Sequence, residues 1–422
     1  MACCRARLAF GSRAVRPPVQ TAMNRDGHRA SERSAGRQEA LSDKAEDPLA
    51  APTAEAAAQG APYLRAILRI VVLLIALYVF FFSIKLMGHS FKLFGKDFAQ
   101  QLISTTQNPF LGLAIGIFAT SLIQSSSTTT SIVVGLVASG GLTLSTAIPI
   151  IMGANIGTTI TNTIVSVGHI TRRHEFERAF ASSIVHDFFN VLAVLVLFPI
   201  EIKFHLVEQA AGWLEHSFAG VGGTKLFNPL NVIIKPAIGL ADRGFSHLPH
   251  AHVWMLVLSL LLLFLGLAAM VKILRRLMVK RMESVLSGFL FRTAASSLAL
   301  GVLITVSVQS SSITTSLVVP LVGAGLLTIR QIFPYVLGAN IGTTITAILA
   351  ALATQNDVAI TAGFAHLLFN VFGICILWPV RFIPIRLSEA TGRFVVRSRK
   401  HMLACLTVYL VLHVVPLALA FL

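Results

Sequence analysis

The sequence predicts an all-α integral membrane protein with an inverted-topology repeat and two re-entrant helical hairpins. Three observations lead to this prediction: the hydropathy of the chain, a pair of matching polar motifs, and the distribution of basic residues between apolar segments. Of the 422 residues, 55% are hydrophobic and only 12% are charged, and the mean hydropathy is +0.77. This balance excludes an ordinary soluble domain.

Apolar segments of about 20 residues can cross the hydrocarbon of a bilayer as helices. The chain contains at least seven of them, at 64–87, 145–167, 178–200, 253–278, 328–353, 358–380 and 401–422. The formal net charge of +16 comes from short basic runs beside these segments and not from one polar face. We therefore expect a multi-pass protein of the plasma (inner) membrane, with the lipid bilayer and not nucleic acid as its partner.

The remaining regions follow from the position of these segments. Residues 1–62 mix Arg, Glu, Ala, Ser and Pro without periodicity, and we expect a disordered cytoplasmic tail there. The four cysteines show neither metal-ligand spacing nor a disulfide framework. The predicted regions after the tail are a first transmembrane helix with the first copy of the repeat at 63–200, an extracytoplasmic connection at 201–252, a linking helix with the second copy at 253–380, and a basic cytoplasmic loop with a final transmembrane helix at 381–422.

The internal repeat is visible directly in the sequence. Residues 124–161 read QSSSTTTSIVVGLVASGGLTLSTAIPIIMGANIGTTIT, and residues 309–346 read QSSSITTSLVVPLVGAGLLTIRQIFPYVLGANIGTTIT. They align without a gap and are about two thirds identical. The likeness resumes at HDFFNV (186–191) and HLLFNV (366–371). Each half therefore contains a Ser/Thr-interrupted apolar stretch followed by two spanning segments.

The orientation of the two copies follows from the basic residues, because Lys and Arg in short loops favour the cytoplasm. Three clusters mark inside loops: Arg172, Arg173 and Arg178; Arg275, Arg276, Lys280 and Arg281; and Arg381, Arg386, Arg393, Arg397, Arg399 and Lys400. All three basic loops can lie inside only if 109–140 is a hairpin that enters from outside and 286–324 is a hairpin that enters from inside. Inverted repeats of this kind are typical of secondary transporters, which place the substrate where broken helices meet.

The two QSSS runs have the chemistry of an ion site. Hydroxyls, backbone carbonyls and the Gln amide oxygen suit a small monovalent cation, and helix N-termini favour anions. Neither run contains Lys or Arg, so a bound anion needs helix ends, hydroxyl donors and co-bound cations to neutralise it. A cation that supplies this charge raises the affinity for the anion, and the coupling is reciprocal. The alternative for one such run is close helix packing through small residues.

Asp187 is an acidic residue inside a spanning segment, which is costly in lipid and usually marks an ion path. The alternative is a carboxylate paired with a neighbour such as His186. The second copy has Leu367 at this position, so the repeat is asymmetric at its one anionic residue. We expect His186 and His366 to be packed or hydrogen-bonded imidazoles and not ligands.

The paired QSSS motifs, the paired GANIGTT motifs and the VHDFFN segment together resemble the type II sodium/phosphate cotransporter family over about residues 70–410. The resemblance implies that phosphate binds to Gln124, Ser125, Ser126, Gln309, Ser310 and Ser311. It also implies that Thr343 and Thr346 hold one sodium ion, and that Asp187 holds an additional sodium ion with net charge movement. The other sodium ligands expected among the same motifs are Ser127, Thr130, Asn155, Asn190 and Asn340.

The function implied by the resemblance is electrogenic, sodium-coupled symport of inorganic phosphate by alternating access, with sodium as coupling ion and no cofactor. Transport of another oxyanion such as arsenate or sulfate, and a passive anion channel, are the alternatives. A membrane enzyme with a Ser nucleophile is disfavoured, since no G-x-S-x-G, S-x-x-K or H-E-x-x-H motif is present.

The chain departs from the family pattern at two places. His169 and Arg172 stand where relatives carry Gln and Asp, which weakens the prediction of that part of a sodium site. The connection at 201–250 has neither a cysteine nor an N-x-S/T sequon, unlike the loop of animal members. These departures are typical of a bacterial member.

Overall fold

The computed structural model describes residues 54–94, 108–158, 160–220, 228–285, 291 and 293–420. These residues form fifteen helices and no strand, so the all-α prediction is confirmed. The helices are α1 (Ala54–Leu93), α2 (Pro109–Ile123), α3 (Ser126–Ser139), α4 (Leu144–Ile156), α5 (Ile160–Val167), α6 (Arg173–Phe204), α7 (Leu206–Gly220), α8 (Asn228–Phe245), α9 (Ala251–Val285), α10 (Ala294–Val308), α11 (Ser311–Gly323), α12 (Ile329–Thr354), α13 (Asp357–Leu377), α14 (Phe382–Val395) and α15 (Arg399–Ala420).

Some predictions fall partly outside the described residues. These are most of the tail, at 1–53, part of the extracytoplasmic connection, at 221–227, and part of the second hairpin, at 286–290 and 292. Helix α1 begins at Ala54, inside the range predicted as tail.

Five helices of the described residues are long and apolar enough to cross a membrane. They are Ile67–Leu93, Arg173–Phe204, Ala251–Ala269, Ile329–Thr354 and Asp357–Leu377, and they overlap five of the seven predicted spans. The span predicted at 401–422 falls on α15 and stays a prediction. The continuous helix predicted at 145–167 is wrong, because α4 ends at Ile156 and α5 starts only at Ile160.

A side chain from the other half of the chain donates a hydrogen bond to the break between α4 and α5. Gly157 caps α4, and the Ser312 hydroxyl donates to the backbone oxygen of Thr158 at 3.2 Å. A carbonyl freed inside a membrane protein must find such a donor. The same GANIGTT sequence runs unbroken through α12 in the second copy.

The two interrupted stretches are pairs of short helices, α2 with α3 and α10 with α11. Helix α2 also packs closely on α4, and α10 on α12. The close approach needs glycine: a Cβ on Gly116 would lie 2.0 Å from the Ile150 oxygen, and a Cβ on Gly301 would lie 2.0 Å from the Tyr335 oxygen. Small residues at such contacts let membrane helices pack backbone to backbone.

The C-terminal ends of the two pairs lie at opposite ends of α12. Helix α11 is joined by a short turn to the start of α12. At the other end of α12, the Asn356 amide approaches the backbone oxygen of Ala138, near the end of α3, to 3.5 Å. Helix α12 has 26 residues, so these two points are separated by about 39 Å along its axis.

Candidate functional site

The two QSSS motifs break their helices in the same way. Gln124 and Gln309 end α2 and α10 in the left-handed region, with φ of 58° and 57°. The next residues, Ser125 and Ser310, are extended N-caps. The Ser125 hydroxyl accepts from the Thr128 amide at 3.2 Å, and the Ser310 hydroxyl accepts from its equivalent amide at 3.3 Å. The matched sequences therefore form matched helix starts.

Each break creates a helix N-terminus inside the protein. The first amides of α3 and α11 have no acceptor within their own helix, and the helix dipole gives this end a partial positive charge. Four serines of the first turns, Ser126, Ser127, Ser311 and Ser312, are buried. Backbone amides and hydroxyls at a helix start are suited to an oxyanion, and neither motif carries a formal positive charge of its own.

The start of α11 is fixed by side chains from both halves of the chain. Thr346 of α12 donates to the Gln309 side-chain oxygen. The Asn162 amide of α5 donates to the Thr315 hydroxyl at 2.8 Å. The start of α3 is held within its own pair, where the Thr120 hydroxyl donates to Thr129 at 3.0 Å. Helix α3 packs on α12 and α13, whereas α11 packs on α5 and α6.

A chain of three hydrogen bonds crosses between the halves near the middle of α12, and we call it the closed cluster. His186 Nε2 donates to Asn340 Oδ1 at 2.5 Å, and Asn340 Nδ2 donates to Asn190 Oδ1 at 2.8 Å. Asn190 Nδ2 in turn donates to the backbone oxygen of Asn155 at 2.7 Å. His186 is hydrogen-bonded, as predicted. The closed cluster ties α6 to α12 and α4.

The equivalent residues of the other half, Asn155, His366 and Asn370, form what we call the open cluster. His366 Nε2 and Asn370 Nδ2 both lie 3.4 Å from Asn155 Oδ1. The Asn155 amide donates to Ile151 of its own helix at 2.9 Å and not across the halves. His366 Nδ1 and Asn370 Oδ1 are buried and have no hydrogen-bond partner among the described residues.

The structure places five of the predicted sodium ligands in two settings. Asn155, Asn190 and Asn340 meet in the two clusters. Thr130 and Thr343 are buried and donate to backbone oxygens of their own helices, at 2.8 and 2.9 Å. Side chains that already donate to carbonyls still present a hydroxyl lone pair, which is the atom a cation needs.

Asp187 lies one residue after His186 but faces a different space. It lines a cavity of about 410 Å³ between α6, α14 and α15, together with Thr163, Phe188 and Cys405. The Thr163 hydroxyl is buried and has no hydrogen-bond partner among the described residues. The carboxylate is therefore next to the closed cluster along the chain and outside it in space.

Two of the departures from the family pattern meet in one turn. Glu175 accepts from Arg172 at 2.9 Å and lies 3.3 Å from His169 Nδ1. This ion-paired turn precedes and begins α6.

Sequence reasoning missed the roles of Asn162, Thr315 and Asn370. For Asn370, the available signal was the His-x-x-x-Asn spacing that occurs in both copies, because residues four apart share one helix face.

A family model described as Na+/Pi-cotransporter matches residues 79–215 and 262–378. Among curated proteins, the chain is 34% identical to sodium-dependent phosphate transport protein 2B of Homo sapiens, over 76% of this chain and 61% of that protein. It is 33% identical to sodium-dependent phosphate transport protein 2A of Rattus norvegicus, over 76% of this chain and 63% of that protein. The chain thus spans about three fifths of the length of these relatives. No solved structure matches.

Proposed function

Because this chain belongs to the Na+/Pi-cotransporter family, we propose that it is a sodium-coupled symporter of inorganic phosphate that works by alternating access across the plasma membrane. The observation that carries the proposal is the pair of matched helix breaks at Gln124 and Gln309. Two matched breaks, one in each repeat, support a carrier in which equivalent elements of the two repeats expose one site to the two sides in turn. The family is one of transporters and not of enzymes.

The proposed architecture is an inverted-topology repeat with two re-entrant hairpins, α2–α3 and α10–α11. It is supported by the opposite ends of α12 at which the two hairpins terminate. It is also supported by packing between the repeats, because the second helix of each hairpin contacts helices of the other repeat. Helix α3 packs on α12 and α13, and α11 packs on α5 and α6. In this arrangement the N-terminus and the basic loop after α13 are cytoplasmic.

The proposed phosphate site lies at the two helix breaks. Its donors are the side chains and first amides of Gln124, Ser125, Ser126, Gln309, Ser310 and Ser311. Two helix N-termini each contribute about half a positive charge, so together they leave divalent phosphate with a negative charge that a co-bound cation balances. Phosphate affinity therefore depends on sodium, and sodium affinity on phosphate.

The proposed sodium ligands are oxygen-bearing side chains of the repeated motifs, together with Asp187 in the cavity between α6, α14 and α15. They are Ser127, Thr130, Asn155, Asp187, Asn190, Asn340, Thr343 and Thr346. Asp187 supplies the one formal negative charge of this set, so it balances an additional sodium ion and makes transport electrogenic. No cofactor other than the coupling ion is part of this mechanism.

The test is uptake of labelled phosphate into proteoliposomes under an imposed inward sodium gradient, with an equal potassium gradient as control. We expect saturable uptake that only sodium accelerates. Equal uptake under the two gradients would overturn the proposal. Unlabelled arsenate and sulfate in the same assay separate the oxyanion alternatives, and flux that never saturates would indicate a channel.

A further inference from the structure

We propose that a second anion site lies in the second repeat, in a cavity of about 550 Å³ lined by residues of α10, α12, α14 and the turn before α14. Its ligand is a phosphate-bearing group, supplied by the head of an anionic phospholipid or by free phosphate. The residues that carry the proposal are Ser297, Arg330, Arg381 and Arg386. We call this space the arginine cavity.

The arginine cavity lies at the N-terminal ends of three helices. Its lining includes first-turn or second-turn residues of α10, α12 and α14, among them Ser297, Arg330 and Ile385. Helices α10 and α12 begin with capping boxes at Thr293 and Thr328, which satisfy the amides of Ser296 and Gln331. Each helix start still carries a partial positive charge. Three such ends around one space produce a positive potential before any side chain is counted.

Glu389 also lines the cavity, so its charged groups are three guanidinium groups and one carboxylate. Among the described residues, neither Arg330, Arg381 nor Arg386 forms an ion pair within 4.0 Å. Arg381 lies over the Trp378 ring at 4.9 Å, and Arg386 lies over the Phe382 ring at 5.4 Å. Stacking orients a guanidinium group without using its donors. Arg381 Nη1 donates to the backbone oxygen of Trp378 at 3.3 Å, and its other donors remain available to phosphate oxygens.

Ser297 gives the independent indication of a ligand. Its side chain lines the cavity, the residue is 1% exposed, and its hydroxyl has no hydrogen-bond partner among the described residues. A buried hydroxyl without a partner is costly, and most such groups in proteins are satisfied. The equivalent position in α2 is Gly112, so the first repeat has no such donor. An acceptor bound in the cavity accounts for the serine.

The arginine cavity is distinct from the proposed transport site. Ser297 lies in the first turn of α10, whereas Gln309 follows its last residue. The 15 residues of α10 separate the two ends by about 22 Å. The volume exceeds that of one phosphate ion and suits a larger head group. Basic pockets between transmembrane helices with aromatic neighbours are a known setting for anionic lipid head groups.

The experiment uses the full chain in nanodiscs of phosphatidylcholine, without sodium, and measures the thermal unfolding midpoint. One arm titrates phosphatidylglycerol into the disc and the other adds inorganic phosphate to the buffer. The test variant is Arg381→Gln/Arg386→Gln. The matched control is Arg393→Gln/Arg397→Gln, which removes the same charge at the end of α14 but does not line the cavity.

We expect phosphatidylglycerol to raise the midpoint of the parent and of the control, and the test variant to need at least about tenfold more lipid for the same shift. A response confined to the phosphate arm and lost in the test variant assigns the site to the free anion. Ser297→Ala should respond about threefold more weakly while keeping its midpoint in pure phosphatidylcholine, since it removes an unsatisfied group. Equal responses of the two double variants in both arms would overturn the proposal.

Discussion

Asn340 and Asn155 hold equivalent positions in the two repeats but use their amide groups differently. Asn340 donates across the halves to Asn190 at 2.8 Å, whereas Asn155 donates to Ile151 of its own helix at 2.9 Å. This choice closes one cluster, and in the other Asn370 Oδ1 has no hydrogen-bond partner among the residues that the structure describes. A repeated sequence thus provides the same groups twice without fixing the same hydrogen bonds.

The difference matters for the proposed alternating access, because the clusters connect the two halves of the chain. The closed cluster holds α6 to α12 through short bonds, and the open cluster holds α13 to α4 only through contacts of 3.4 Å. Donors and acceptors at 3.4 Å interact weakly, so the second connection resists separation less than the first. Substitutions at equivalent positions of the two repeats can therefore separate symmetric roles from asymmetric ones.

The largest effect is expected at the positions that the two repeats share. Gln124→Gly and Gln309→Gly keep the left-handed backbone, which glycine adopts freely, and remove the amide side chain. If the amides contact phosphate, each variant loses sodium-driven uptake by at least about tenfold, the value of one hydrogen bond to a charged group. Labelled uptake at equal protein amounts measures this.

Two alanine variants, Gln124→Ala and Gln309→Ala, serve as controls. They add backbone strain of about 1 kcal/mol to the same side-chain loss. Glycine variants that transport normally, beside alanine variants that fail, would show that the glutamines serve only the backbone turn.

The next effect concerns the one acidic position, which the repeats do not share. Asp187→Gly should continue to take up phosphate but lose the charge movement that accompanies it, because the carboxylate balances one cation. Leu367→Gly, the equivalent change in the second repeat, should leave both unchanged. The measurement is substrate-evoked current in parallel with labelled uptake. An undiminished current in Asp187→Gly would contradict the assignment.

The sequence predicted the elements of the fold better than their continuity. The helical class and the two interrupted stretches followed from hydropathy and from the Ser/Thr runs. The break at Gly157 did not, since the identical GANIGTT of the second copy stays helical through Gly342. The broken form exposes the Thr158 oxygen, which accepts from Ser312 of the other repeat. Local sequence cannot predict a hydrogen-bond partner that is 154 residues away along the chain.

The site shows the same limit at the level of single side chains. The motifs indicated which groups lie near the helix breaks, and Asn155, Asn190 and Asn340 do meet. The sequence could not indicate that Asn155 donates to its own helix. That outcome depends on the side-chain rotamer, which tertiary packing selects.

A moderate effect is expected from the two histidines. His186→Leu removes the donor to Asn340 and leaves a buried acceptor unpaired, so the protein should lose about 2 kcal/mol of stability. His366→Leu removes a side chain whose Nδ1 has no partner among the described residues, so its stability should change by less than about 0.5 kcal/mol. Thermal unfolding of the purified variants compares them. A larger loss for His366→Leu would reverse the assignment of closed and open clusters.

The smallest effect is expected where the repeats end. Arg178 of α6 donates to the Gly323 oxygen through Nε at 3.1 Å and Nη2 at 2.7 Å, and so caps α11 from the other half of the chain. The end of α3 is closed by the Gly140 and Gly141 amides, and the Asn356 amide lies 3.5 Å from the Ala138 oxygen. A cation at a helix C-terminus contributes about 1 kcal/mol or less, so Arg178→Gln should lower the unfolding midpoint slightly. Arg173→Gln, an exposed change in the same helix, should not. Equal midpoints for Arg178→Gln and Arg173→Gln would mean that the Arg178 cap adds no measurable stability to α11. The C-terminal ends of α11 and α3 would then be equivalent in energy despite their different chemistry.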